Sequence, residues 1–83
     1  MSTQAQPKKT SEYSAREVLA LNLIRLRAAK GWSQEALGFE AGLHRTFVAH
    51  VERQARNISL DNLARLATAL DVQPYELLKP QLR

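Results

Sequence analysis

The three residues Gly42-Leu43-His44 interrupt the stretch QEALGFEAGLHRTFVAHVER, residues 34–53, and nothing else in the chain limits its fold so tightly. Glycine adopts the left-handed backbone of a sharp helix exit at no steric cost, so the helix that begins after Ser33 must end at Gly42. Leu43 then turns toward the core, and His44 stands where a second helix is capped. At about 100° per residue, Arg45, Thr46, Ala49, His50 and Arg53 share an arc of about 140°, while Phe47, Val48 and Val51 point the other way. The second helix is therefore held by an apolar side and offers small, basic and hydroxyl groups on its free side. A helix entering the major groove of DNA needs such a face.

The rest of the chain reads as helices packed around this pair. Residues 1–13 are polar, with Pro7 and Lys8-Lys9, and show no apolar period; they predict a disordered arm ahead of a domain over 14–83. That arm is either inert or touches phosphate through Lys8 and Lys9. Ser14 and Glu17 form a capping box for the first helix, in which Leu19, Leu23 and Leu26 make the core face. Leu21, Ile24 and Ala28 form a second apolar strip on the far side, covered by the arm or by another surface. Gly31 ends this helix, and Trp32 staples the start of the next. Ser59 caps a fourth helix with an apolar stripe of Leu60, Leu63, Leu66, Ala67 and Leu70. Pro74 opens a short fifth one over residues 75–78, closed by Pro80. The expected architecture is all-α, a compact bundle of five helices containing a helix-turn-helix.

Arg27 with Gly31, Ser33-Gln34, Leu37, Ala41-Gly42-Leu43, Val51-Glu52-Arg53 and Leu63, Leu66 and Leu70 resemble the Xre family, the phage-repressor (lambda-repressor-like) helix-turn-helix. Within it, Leu43-His44-Arg45-Thr46-Phe47, Val51-Glu52-Arg53 and Arg56-Asn57-Ile58-Ser59-Leu60 are similar to the controller proteins of restriction–modification systems. The resemblance implies an ion pair between Arg27 and Glu52, a phosphate contact from Gln34, and a dimer joined through the C-terminal end. Two departures stand out: Gln54 occupies a position where the family has glycine, and Gly38 one where it usually has alanine. The first puts the exit from the recognition helix in doubt; the second either permits closer helix packing or is tolerated.

The candidate DNA base contacts are Arg45, Thr46, Ala49 and His50. Arg45 at the start of the helix reaches guanine O6 and N7, or else a phosphate. Thr46 has the same two readings, Ala49 lets the backbone approach the groove floor, and His50 is a groove-edge or plain surface histidine. Ser33, Gln34, Arg53, Arg56 and Asn57 are expected along the phosphate backbone, where contacts set affinity but carry no sequence information. Tyr75, Leu77, Leu78 and Leu82 leave surplus apolar surface at the C-terminus, and Tyr75, Leu78 and Leu82 are the expected dimer interface.

Composition agrees with this and excludes other classes. Eighty-three residues bury only about 60–65% of their unfolded surface, so a partner subunit helps. The net charge of +4 favours a polyanion. Without cysteine there is no disulfide or thiolate metal site, and no apolar run is long enough to span a membrane. The polar N-terminus does not resemble a signal peptide, and the expected location is cytoplasmic. His44 and His50 do not converge on a metal, no nucleophile has a base at useful spacing, and no cofactor is called for. The reading is a regulator that binds a palindromic double-stranded DNA operator as a homodimer, with contact to RNA polymerase left open. Its rival is an antitoxin or protein-recognition subunit with the same fold.

Overall fold

Serine side chains open three of the helices in the computed structural model, which describes residues 13–81. The Ser14 hydroxyl accepts from the Glu17 N–H at 3.1 Å and starts α1, Ala15–Ala29. Ser33 accepts from the Ala36 N–H at 3.0 Å and starts α2, Gln34–Ala41. Ser59 accepts from the Asn62 N–H at 3.1 Å ahead of α4, Leu60–Leu70. Each hydroxyl satisfies a first-turn donor that has no partner within its helix. The cap of α3, Arg45–Glu52, is instead an imidazole: His44 Nδ1 accepts from the Thr46 N–H at 3.0 Å.

The fifth helix is not an α-helix. Pro74–Leu77 forms a single 3-10 turn, so the described residues hold four α-helices and this turn, and no strand. Pro80, three residues past its end, biases Lys79 away from helical backbone, which leaves no room for a second turn. Residues 1–12 of the arm expected over residues 1–13, and Leu82, lie outside the described residues.

One cluster gathers Leu19 and Leu23 of α1, Leu37 and Ala41 of α2, Val48 and Val51 of α3, the α4 residues Leu63, Leu66, Ala67 and Leu70, and Leu77. Leu26 and Leu43 pack against its edge, half-buried. Leu60 leaves the expected stripe: it is 80% exposed. As the first residue of α4 its side chain tilts toward the helix N-terminus, beyond the layer that the other helices cover. Leu77, expected among the surplus apolar surface, is fully buried under α1 and α4. The strip of Leu21, Ile24 and Ala28 stays exposed on the outer side of α1.

A polar residue sits inside this core. Asn22 is 1% exposed, and its Nδ2 lies 3.3, 3.0 and 3.0 Å from the carbonyl oxygens of Glu76, Leu77 and Lys79. Its Oδ1 accepts from Arg25 at 3.2 Å. Carbonyls left open by so short a turn thus find donors on α1, and a buried amide escapes the penalty of an unmade bond.

Gln54 takes the left-handed backbone that its side chain disfavours, with φ 63°. The Gln54 N–H donates to Val51 O at 2.9 Å and the Ala55 N–H to His50 O at 2.9 Å, which closes the end of α3 despite the missing glycine. Gly38 permits close packing. A Cβ there would stand 2.6 Å from the Leu43 carbonyl oxygen and 3.2 Å from the Arg45 nitrogen.

Candidate nucleic-acid interface

Helix α3 is fixed on one side and free on the other. Val48 and Val51 are 0% and 2% exposed, with Phe47 half-buried beside them. The opposite side presents exposed Arg45 and Thr46 at the helix start, then half-buried Ala49 and His50. These four share one surface, as the wheel requires. Arg53 follows at the helix end, and Arg56 and Asn57 lie in the loop beyond, all exposed. Among the described residues neither Arg53 nor Arg56 takes part in an ion pair, so this rim offers uncompensated positive charge.

Beneath the exposed face, a charged network bolts α3 to α1 and α2. Arg27 Nε donates to Glu52 Oε2 at 2.8 Å, and Arg27 Nη2 to Glu52 Oε1 at 2.9 Å. Their side chains are 19% and 5% exposed. Arg27 Nη1 donates to the Trp32 carbonyl at 2.9 Å, which ties the guanidinium to the turn between α1 and α2. Hydrogen bonding to the Glu52 carboxylate, aided by its charge, raises the Arg27 guanidinium above the ordinary arginine value; burial acts in the opposite direction. Gln34 belongs to the same network: its Nε2 donates to Glu52 Oε1 at 2.8 Å. One N–H of the Gln34 side-chain amide is thus engaged inside the protein, while the Gln34 backbone opens α2.

Three neighbours of this surface escaped the sequence reading. Glu35 Oε1 lies 3.4 Å from Arg45 Nη1, bridging the first turns of α2 and α3. Phe39, one turn further along α2, is 82% exposed and lines a shallow hollow with Glu35, Leu43, His44 and Arg45. Arg16 of α1 donates from Nη2 to Asn57 Oδ1, adding a cation beside the loop after α3. Residues 35 and 39 do share an i, i+4 face of α2 in the sequence, but only the packing shows which α3 residue meets that face. For Arg16 and Asn57, 41 positions apart, no local pattern exists.

Near the C-terminal end of the described residues, Tyr75 is 67% and Leu78 43% exposed. Leu78 borders a hollow of 330 Å³ that Leu19, Val51 and Ile58 also line, and the Arg16–Asn57 pair rims it.

Two short helices joined by a three-residue turn, one buried by its apolar side and one polar face left open, define a helix-turn-helix unit. The family profile described as helix-turn-helix matches residues 23–77. A hypothetical transcription factor of Neisseria meningitidis is 49% identical over 69 residues, 83% of this chain and 65% of that protein. Control protein C.BamHI of Bacillus amyloliquefaciens is 54% identical over 46 residues, 55% of this chain and 57% of its own length. The chain therefore spans about three fifths of the length of these two curated relatives. The crystal structure of the restriction–modification controller protein C.AhdI from Aeromonas hydrophila superposes with a TM-score of 0.74 at 51% identity, covering 78% of this chain and 98% of that one. The chain belongs to the Xre-type helix-turn-helix family, and restriction–modification controller proteins are among its homologues.

Proposed function

We propose that this protein is a sequence-specific transcriptional regulator that binds a palindromic DNA operator as a homodimer, and that it is an autoregulating controller of a restriction–modification system. The observation that carries the reading is α3 itself: an apolar side locked into the core at Val48 and Val51, and a free side of Arg45, Thr46, Ala49 and His50 ending in an unpaired basic rim. Arg45 at the first turn forks onto guanine O6 and N7, and Ala49 keeps the helix low in the groove. Arg53 and Arg56 neutralise phosphates on either side and set affinity and register.

Dimerisation through the C-terminal end supplies the second half-site. Tyr75 and Leu78, with exposed Leu60 and the hollow beside Leu78, offer apolar surface that a monomer leaves in water. A two-fold dimer places its recognition helices in successive major grooves, about 34 Å apart, and so demands a palindrome. A contact with RNA polymerase bound beside the operator belongs to the same reading. No helix among the described residues is long and apolar enough to cross a membrane.

The test is a gel-shift titration against DNA from just upstream of the gene, with random competitor at physiological salt. A shift that survives competitor, and appears in steps for adjacent dimer sites, supports an autoregulated operator. Binding that is only salt-sensitive and equal on random DNA sinks the reading and turns attention to a protein partner.

A further inference from the structure

Glu35 and Gly38 lie three positions apart on one face of α2, and α3 begins on top of them. Because Gly38 has no Cβ, the Leu43 oxygen, the Arg45 nitrogen and the Arg45 Cα sit 2.6, 3.2 and 3.4 Å from the place a Cβ would fill. The first residue of α3 therefore rests directly on α2. From there the Arg45 side chain reaches Glu35, with Nη1 3.4 Å from Oε1. The two side chains are 63% and 72% exposed, and a pair so open to water adds almost nothing to stability. Its effect is on direction.

A guanidinium carries five N–H donors in a fixed plane. With Nη1 turned to Glu35, the edge formed by Nε and Nη2 remains free, and two such parallel donors match guanine O6 and N7. The same carboxylate repels a phosphate that approaches Arg45. A base pair offering the right fork is then met by an oriented arginine, whereas a backbone oxygen alone meets a cation already partnered. We propose that Glu35 is a positioning residue for Arg45 and that it widens the gap between operator and random DNA. This inference rests on the DNA-binding reading above.

The experiment measures dissociation constants on an operator duplex, taken from upstream DNA or selected from a random pool, and on a random duplex at one salt concentration. The proteins are wild type, Glu35→Gln, Glu35→Asp, Arg45→Ala and the Arg45→Ala/Glu35→Gln pair. The expected result is a fall of about three- to ten-fold in the operator-to-random affinity ratio for Glu35→Gln. Glu35→Asp should fall similarly, since it keeps the charge but loses one methylene of reach. In the Arg45→Ala background, Glu35→Gln should leave the ratio unchanged. An unaltered ratio in Glu35→Gln, a wild-type ratio in Glu35→Asp, or an equal change with and without Arg45 would each overturn the proposal while leaving DNA binding intact. A wild type that prefers no duplex overturns both readings at once.

Discussion

Helix α3 carries two ion pairs, one at each end, and they differ in nearly everything but chemistry. Arg27 and Glu52 meet bidentately at 2.8 and 2.9 Å with the carboxylate almost out of water. Arg45 and Glu35 meet through a single 3.4 Å approach, with both side chains largely solvated. The first joins α1 to the C-terminal end of α3 and takes in Gln34 and the Trp32 carbonyl. The second touches only the first turns of α2 and α3. Desolvation decides what each pair does: the buried one makes the helix position compulsory, because either partner alone would be an unpaired charge in low dielectric. The exposed one holds the arginine by one nitrogen at little energetic gain and leaves its other donors open to DNA.

The largest expected effect breaks the buried pair. Arg27→Ala strands Glu52 beneath α3 and should cost ~3 kcal/mol of stability. That corresponds to a drop of roughly 10–20 °C in melting temperature at fixed protein concentration. A urea titration unchanged from wild type would show that water relaxes into the site. Next comes the exposed end. Arg45→Ala should leave stability within about 0.5 kcal/mol of wild type, yet weaken the cognate operator by about 1–3 kcal/mol. Equal weakening on random DNA would reduce Arg45 to a phosphate contact. The smallest effect lies on the rim: Arg56→Ala should weaken all sequences alike, lowering the slope of log affinity against log salt by about 0.9 for each phosphate that is no longer neutralised. A sequence-dependent loss at Arg56 would move the boundary between reading and anchoring outward from α3.

Much of this contrast is legible in the sequence. The wheel over residues 45–53 separates Arg45, Thr46, Ala49 and His50 from Val48 and Val51, and the structure keeps that division. Serines at 14, 33 and 59 cap where local chemistry predicts, since a cap bond spans only three residues. The pairing of Arg27 with Glu52 was legible only through family resemblance, because 25 residues separate them and periodicity carries no information over that distance. Leu60 shows the opposite failure. It continues the stripe of α4 by spacing, but a helix's first residue has a neighbouring layer only if another element reaches that far. Asn22 falls on the same side of α1 as the core and reads as an error in the pattern until the carbonyls of residues 76–79 arrive to meet it.

Gln54 and Gly38 mark where local preference ended and packing began. Glutamine accepts φ 63° because the hydrogen bonds that close α3 and the burial of Val51 outweigh a backbone cost of roughly 1–2 kcal/mol. At Gly38 local preference favours alanine, and only the approach of the Leu43 carbonyl explains the glycine.

By itself the sequence determined four α-helices with their caps, the turn at Gly42, and the face that α3 leaves open. These depend on interactions within three or four residues and on a period that the chain carries along its length. Only the tertiary structure decided that the last segment is a 3-10 turn held by Asn22, that Gln34 turns inward to Glu52, and that Glu35 meets Arg45. Such choices depend on which groups from distant parts of the chain arrive at the same point and compete there for one donor, one acceptor or one void.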